Sequence, residues 1–313
     1  MERPCSERSL KLASPSPGGR SPRAIVQAES VGYSYGDTDA REARHPALSN
    51  VSFALDEGSI TAIVGQTGSG KSTLVRLLCA LEVPDTGRLV VDGINTANRR
   101  DRRRLYGHVG YVMQHPERQL FAETVLEDVA YGPTNMCLSA NEIDRRCRHA
   151  LNLVGLVDRD DTSPFHLSGG QQRLCALAGI LAMEPRVLVL DEPTAGLDPR
   201  GREHLRAIIR RINRQGITVI QVTHSMDDAA TAQRVMVLNE GELLLLGTPA
   251  EVFSPATLDT LHASGLGLPA ALRWSLRLEE AGMPGLGQPL TLDELADTLA
   301  ARLDGTKGAD HGV

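Results

Sequence analysis

Eight consecutive residues, Gly65-Gln66-Thr67-Gly68-Ser69-Gly70-Lys71-Ser72, fit the pattern GxxxxGK[ST]. Glycines at these places let backbone N–H groups converge on an anion, and a helix beginning there adds favourable potential at its N-terminus. In such a loop Lys71 reaches the terminal phosphates of a nucleotide and Ser72 offers a hydroxyl to Mg²⁺. A second run, Arg186 to Asp191, is an apolar strand pattern ending in two acids, Asp191 and Glu192, before Pro193. Acids at a strand terminus are ordinarily just its solvated end. Beside a phosphate loop they acquire chemistry, in which Asp191 binds Mg²⁺ or its water, and Glu192 orients and deprotonates an attacking water. A third run, Leu167-Ser168-Gly169-Gly170-Gln171, has Ser168 and Gln171 at capping-box spacing for the helical pattern that follows. Capping does not explain its two glycines, each of which costs about 1 kcal/mol in a helix relative to alanine. They suit a place where backbone must approach a phosphate. The chain thus carries two helix N-termini built for phosphate but one lysine-bearing loop. Either each chain has two sites, or the second N-terminus closes over nucleotide held by another chain.

These residues need a sheet and helices to position them. Ser59 to Val64 reads as a compact strand entering the glycine turn, and STLVRLLCAL as the helix leaving it. Further strands are legible at Leu89–Val91, His108–Met113, Val187–Leu190, Thr218–Val222 and Val235–Leu238. Between them, Arg202 to Arg214 sets Leu205, Ile208, Ile209 and Ile212 at helical spacing with arginines opposite, and Gly216 stops it. This alternation predicts an α/β fold around a largely parallel sheet. The Asn239-Glu240-Gly241 break inside Val235–Leu246 predicts a closing hairpin, which makes the sheet mixed. Residues 1–24, rich in Ser, Pro, Gly and Arg, read as a disordered arm. Residues 25–249 form the main domain, 250–305 a helical extension that could serve pairing, and 306–313 a flexible tail. In the extension Thr291 and Glu294 have capping-box spacing.

Composition narrows the classes. With 313 residues a sizeable core needs no staples. A net charge of −6 argues against a nucleic-acid backbone as the main partner. No stretch free of Asp, Glu, Lys and Arg exceeds thirteen residues, as in Thr260–Leu272, too short for a bilayer span of ~20 residues. The opening MERPCSERSL lacks the apolar core of a secretory signal, which leaves the cytoplasm as the expected compartment. Five cysteines without a CxxC pair suggest neither a disulfide framework nor a zinc site. The RRDRRR run at 99–104 reads as a solvated face. Only three lysines occur, Lys11, Lys71 and Lys307, so Lys71 is the sole lysine outside the tails. There a slender point charge fits among phosphate oxygens where a planar guanidinium would not.

Gly65 to Thr73, Gln114, LSGGQ at 167–171, VLVLDEPTAGLDP at 187–199 and His224 stand in the order and spacing of the ATP-binding cassette (ABC) proteins, which the chain resembles over residues 25–250. The resemblance implies a phosphate-loop ATPase with an antiparallel β subdomain and a helical signature subdomain. It implies two cassettes sandwiching two ATP molecules head to tail, each held by one chain's phosphate loop and the other's Ser168, Gly169, Gly170 and Gln171. It further implies that Gln114 senses Mg²⁺ and the nucleophilic water, that Asp198 communicates across the dimer, and that His224 contacts the γ-phosphate. The adenine-stacking aromatic comes from the SYG stretch, Tyr35 with Tyr33 as competitor. The segment from His115 to Asn135 resembles PExQLF…TVxxDVxFGPxN of energy-coupling factor transporter ATPases, although Thr124 and Glu127 also have plain capping-box spacing. GQTGSGKST, AMEP, THSMDDAA and the LTLDELA tail resemble the second of that transporter's two ATPase types. Tyr131 stands where phenylalanine is common and Gln66 where histidine is.

That resemblance implies an ATP-hydrolysing, Mg²⁺-dependent subunit peripheral to the cytoplasmic face of the cell membrane. It would pair with a second ATPase in a heterodimer, dock on a transmembrane coupling subunit through the helix after Gln114, and power vitamin or transition-metal-ion uptake through a separate substrate-binding membrane protein. The rival is a soluble ABC ATPase of DNA repair or translation. Repair ATPases of the coiled-coil type separate the phosphate loop from LSGGQ by hundreds of residues, whereas Lys71 and Ser168 are 97 apart, and translation factors carry two cassettes where this chain has one. A nearer rival is the ATPase of an ordinary importer or exporter.

Overall fold

The computed structural model describes residues 23–36 and 45–307, with side chains to residue 303. Of the expected arm, residues 1–22 lie outside the described residues, as do Cys5, Lys11 and residues 308–313 of the expected tail.

The first two strands, β1 (Ala24–Tyr35) and β2 (His45–Asp56), pair antiparallel. The short buried strand β3 (Ile60–Val64) enters the glycine loop, from which α1 (Lys71–Leu78) rises. With β4 (Thr86–Val91) and β5 (Ile94–Asn95), the first pair completes an antiparallel sheet ordered β2-β1-β4-β5. The arginine run forms α2 (Arg99–Arg102) and a following 3₁₀ turn, largely exposed. Next come β6 (Val109–Val112) and three mutually packed helices, α3 (Val125–Asn135), α4 (Ala140–Val154) and α5 (Gly169–Leu181). The chain then alternates through β7 (Val187–Asp191), α6 (Pro199–Asn213), β8 (Thr218–Val222) and α7 (Met226–Ala230). A hairpin of β9 (Arg234–Asn239) and β10 (Glu242–Gly247) closes the second sheet. The extension is α8 (Pro249–Val252), α9 (Leu258–Ala263), α10 (Ala270–Glu280) and α11 (Leu292–Lys307).

The second sheet runs β10-β9-β3-β8-β7-β6, parallel except for β10 at its edge. Both its faces are covered, so its strands are continuous apolar runs whose alternate residues feed two cores. Leu188 and Leu190 of β7 face the core built with α3 to α6, whereas Val187 and Val189 face the core shared with α1 and the antiparallel sheet. In β9, Val235 and Val237 go one way and Met236 and Leu238 the other. Leu205, Ile208, Ile209 and Ile212 make the buried stripe of α6, each contributing about 1.5–3 kcal/mol when fully buried. This stacking puts the C-terminal ends of β3, β6, β7 and β8 along one edge, where loops between sheet and helices meet.

Candidate functional site

At that edge the loop after β3 wraps around the start of α1. Gly70 has φ +97°, a left-handed conformation that a side chain resists, and a Cβ there would sit 2.6 Å from the Ala47 carbonyl oxygen. Lys71 is buried, and its Nζ donates to the carbonyls of Gly65 and Gln66, both at 2.7 Å, and to Ser69 Oγ at 3.4 Å. Burial lowers its pKa, while the nearby Glu192 and Asp191 oppose that shift. The ammonium is thereby held against the loop by these three acceptors.

A cleft of about 390 Å³ collects the residues that the sequence marks from distant positions: Tyr35, Thr67, Gly68, Gly70, Lys71, Ser72, Thr73, Gln114, Asp191, Glu192 and His224. His45, Pro46 and Ala47 of β2 line it too, and no local pattern in the sequence announces them. Tyr35 is half-exposed at the rim, with its hydroxyl 3.2 Å from Thr73 Oγ1. Tyr33 meets it edge-on at 5.0 Å between ring centres but packs against the apolar core and is not part of the cleft wall. Ser69 is buried under the loop. Gly65 and Gln66 face an adjoining cavity of about 340 Å³ that shares Thr67 and His224.

The two acids at the end of β7 differ in surroundings. Asp191 Oδ2 accepts a hydrogen bond from the Tyr111 hydroxyl at 3.2 Å, yet burial dominates and raises its pKa. Glu192 follows in the left-handed region at φ +50°, a conformation seldom adopted outside glycine and found preferentially where function holds the backbone. Its Oε2 accepts from the His224 backbone N–H at 3.4 Å, and His224 Nε2 lies 3.4 Å from Oε1. Oε1 is buried without a hydrogen-bond partner. Burial raises the pKa of Glu192, with His224 pulling the other way. A carboxylate with one unsatisfied oxygen and a raised pKa is equipped to accept a proton from water.

Ser72, Gln114 and Asp191 supply a hydroxyl, a carboxamide and a carboxylate to one cleft, hard oxygen donors that suit Mg²⁺. Among the described residues no group of three or more His, Cys, Asp or Glu side chains could hold a metal unaided.

The signature residues are elsewhere. Ser168 caps α5, its Oγ accepting from Gln171 N–H at 3.4 Å while Gln171 Oε1 accepts from Ser168 N–H at 3.1 Å. Ser168, Gly170 and Gln171 line a separate cavity of about 290 Å³ beside Leu197 and Gly201. Gly169 and Gly170 are exposed, and a Cβ on either would meet nothing within 4 Å. Asp198 caps α6, accepting from Gly201 N–H at 2.7 Å.

Long-range contacts that the sequence does not signal tie these parts together. Arg173 of α5 donates to the carbonyls of Pro193 and Ala195 at 2.9 and 2.8 Å. Thr194 Oγ1 donates to Asp228 Oδ2 at 2.5 Å, and Arg206 Nε to Asp228 Oδ1 at 2.6 Å. Asp228, 2% exposed, thereby joins the segment after Glu192 to α6 and to the helix after His224.

Comparison with known proteins follows the same lines. Residues 48–195 match the family model described as ABC transporter. The chain is 49% identical over 268 residues to the energy-coupling factor transporter ATP-binding protein EcfA2 of Symbiobacterium thermophilum, covering 85% of this chain and 92% of the relative. It is 44% identical over 279 residues to the protein of the same name from Streptococcus pyogenes, covering 88% and 98%. Among solved structures it is similar to cbiO1 of Clostridium perfringens, part of the ABC transporter complex cbiONQ (TM-score 0.68, 35% identity, 77% of this chain and 95% of that one). It is also similar to an ATP-binding cassette solved as a dimer in a post-hydrolysis state with ADP and Pi (TM-score 0.64, 28% identity, 72% and 99%).

Proposed function

This chain belongs to the energy-coupling factor transporter ATP-binding proteins, ATPases that couple hydrolysis to transport, and from that premise we propose how its residues divide the work. Tyr35 stacks on adenine. The N–H groups of the 65–72 loop and of the first turn of α1, including Thr73, hold the phosphates, with Lys71 reaching the terminal ones. Ser72, Asp191 and Gln114 are the residues that would hold Mg²⁺, which when bound neutralises charge on the phosphate oxygens. Glu192 takes the proton of a water attacking in line, and His224 contacts the γ-phosphate while steadying Glu192. Ser168 to Gln171 close over nucleotide in the partner's cleft, and Asp198, at the start of α6, carries that closure across the dimer.

The partner is a second, non-identical ATPase subunit. The pair sits at the cytoplasmic face on a transmembrane coupling subunit, and a separate membrane protein binds the vitamin or metal ion to be imported. Support for docking comes from α3 and the segment before it, where Tyr131 of the helix and Phe121 ahead of it are 56% and 59% exposed and meet edge-on at 4.8 Å, an apolar surface left open. No helix among the described residues is long and apolar enough to cross a membrane.

One observation carries the reading. Lys71, Gln114, the Asp191-Glu192 pair and His224 come from four separate segments into one cleft, while the glycines of the signature helix stand bare outside it. Glu192→Gln keeps the shape of the site and removes the base. ATP binding should persist and turnover should be abolished, as read by nucleotide affinity and phosphate release. Normal turnover in that variant would exclude Glu192 as the base.

A further inference from the structure

The C-terminal extension touches the catalytic machinery at two points. Gly265, at φ +64°, ends α9 in a Schellman turn: its N–H bonds the His262 carbonyl, and the Leu266 N–H bonds the Leu261 carbonyl. The Gln66 side-chain amide lies across this glycine in the space a Cβ would occupy. Gln66 belongs to the phosphate loop, and its carbonyl accepts from Lys71 Nζ at 2.7 Å. Five residues on, the Ala270 N–H at the start of α10 donates to Asp227 Oδ1 at 2.7 Å. Asp227 sits in α7, the helix after His224, and its neighbour Asp228 grips Thr194 and Arg206. Between the two points, Leu266 and Leu268 are buried in the same core as Met226 of α7.

We propose that residues 265–270 form a clasp by which the C-terminal extension positions both sides of the γ-phosphate site: Lys71 through Gln66, and His224 through Asp227 and α7. The two adjacent acids of α7 hold different neighbours, Asp227 the extension and Asp228 the segment that follows Glu192. A displacement of the extension, whether by a second ATPase or by another partner, would therefore reach the loop and the histidine together. Gln66, Gly265 and Asp227 are positioning residues in this scheme. The scheme rests on the ATPase reading above.

The test uses the full-length chain in its assembled transporter. It compares Asp227→Ala, Gln66→Ala and the double variant, with kcat and KM for ATP and the melting temperature measured for each. Each single variant should lower kcat about three- to tenfold with little change in melting temperature. The double should be no worse than the worse single, because a clasp released at one point has nothing left to hold at the other. Asp227→Asn, which keeps an acceptor for the Ala270 N–H, should restore kcat. Unchanged kcat in Asp227→Ala, effects that multiply independently, or failure of Asn to rescue would each overturn the clasp. An inactive wild-type assembly would instead overturn the ATPase reading.

Discussion

Replacing Gly170 by alanine should move stability and activity in opposite directions. The residue lies in the first turn of α5, has no left-handed backbone, and offers open space where a Cβ would go. Nothing among the described residues needs a glycine there. Alanine lowers the entropy of the unfolded chain and favours the helix, so the variant should gain about 0.4–1 kcal/mol. That corresponds to roughly 1–4 °C in melting temperature. A methyl group on the helix end would, however, hold a phosphate away from the N–H groups it must reach. By analogy with loss of one donor to a developing charge, turnover should fall about a hundredfold to a thousandfold. Melting curves and phosphate release of the assembled transporter give both numbers. A third measurement decides whose nucleotide is involved: Gly170 is absent from the cleft that holds Lys71, so the isolated variant should bind fluorescent ATP as well as wild type does. Weakened binding by the isolated chain would favour two sites per chain. A drop of several degrees in melting temperature, or full turnover, would refute the argument that these glycines exist for a ligand.

Asp228→Ala leaves the Arg206 guanidinium, which is 21% exposed, with only the more distant Glu203 carboxylate at 3.5 Å, and frees Thr194. Breaking a buried pair of this kind costs about 3 kcal/mol, or roughly 6–12 °C in a thermal melt, and a shift below 2 °C would show that the contact is incidental. The pH profile of turnover reports Glu192. Burial raises its pKa, so the base gains its proton, and activity is lost, at a higher pH than an ordinary glutamate near 4.3 would allow. His224 lowers that pKa, so His224→Ala should move the acid limb of residual activity upward; a limb that stays put or moves down would disconnect His224 from Glu192.

Much of the site was legible because its chemistry is local. The phosphate loop, the strand ending in Asp191-Glu192 and the capped signature helix each occupy a few adjacent residues, and backbone geometry follows from glycine, proline and apolar periodicity at short range. The parallel strands β3, β6, β7, β8 and β9 were readable for the same reason: buried parallel strands are continuous apolar runs. What escaped is long-range. The Tyr111–Asp191 bond spans 80 residues and Thr194–Asp228 spans 34, and nothing in either segment marks the partner. The wall supplied by His45, Pro46 and Ala47 depends on how β2 lies over the loop, which sheet packing decides. Tyr33 and Tyr35 could not be separated by sequence because both alternate on one strand; only the placement of β1 puts Tyr35 at the cleft and Tyr33 against the core.

The capping readings, which competed with the functional ones at the sequence level, are structurally correct. Ser168 and Gln171 form a reciprocal cap, and Thr124 and Glu127 cap α3. Helix starts are where backbone N–H groups are left without partners, so a cap and an anion site use the same geometry. The difference is how many donors the cap consumes. At α5 the serine satisfies one N–H at 3.4 Å and the flanking glycines remain exposed, whereas the start of α3 carries no glycine and places Glu127 and Asp128 in its first turn, where a phosphate would be repelled. Asp128 is already spent on the Phe121 and Ala122 N–H groups. So two helices with the same capping box part company: α5 starts with exposed glycines that a ligand's charge could reach, and α3 supplies its own acids.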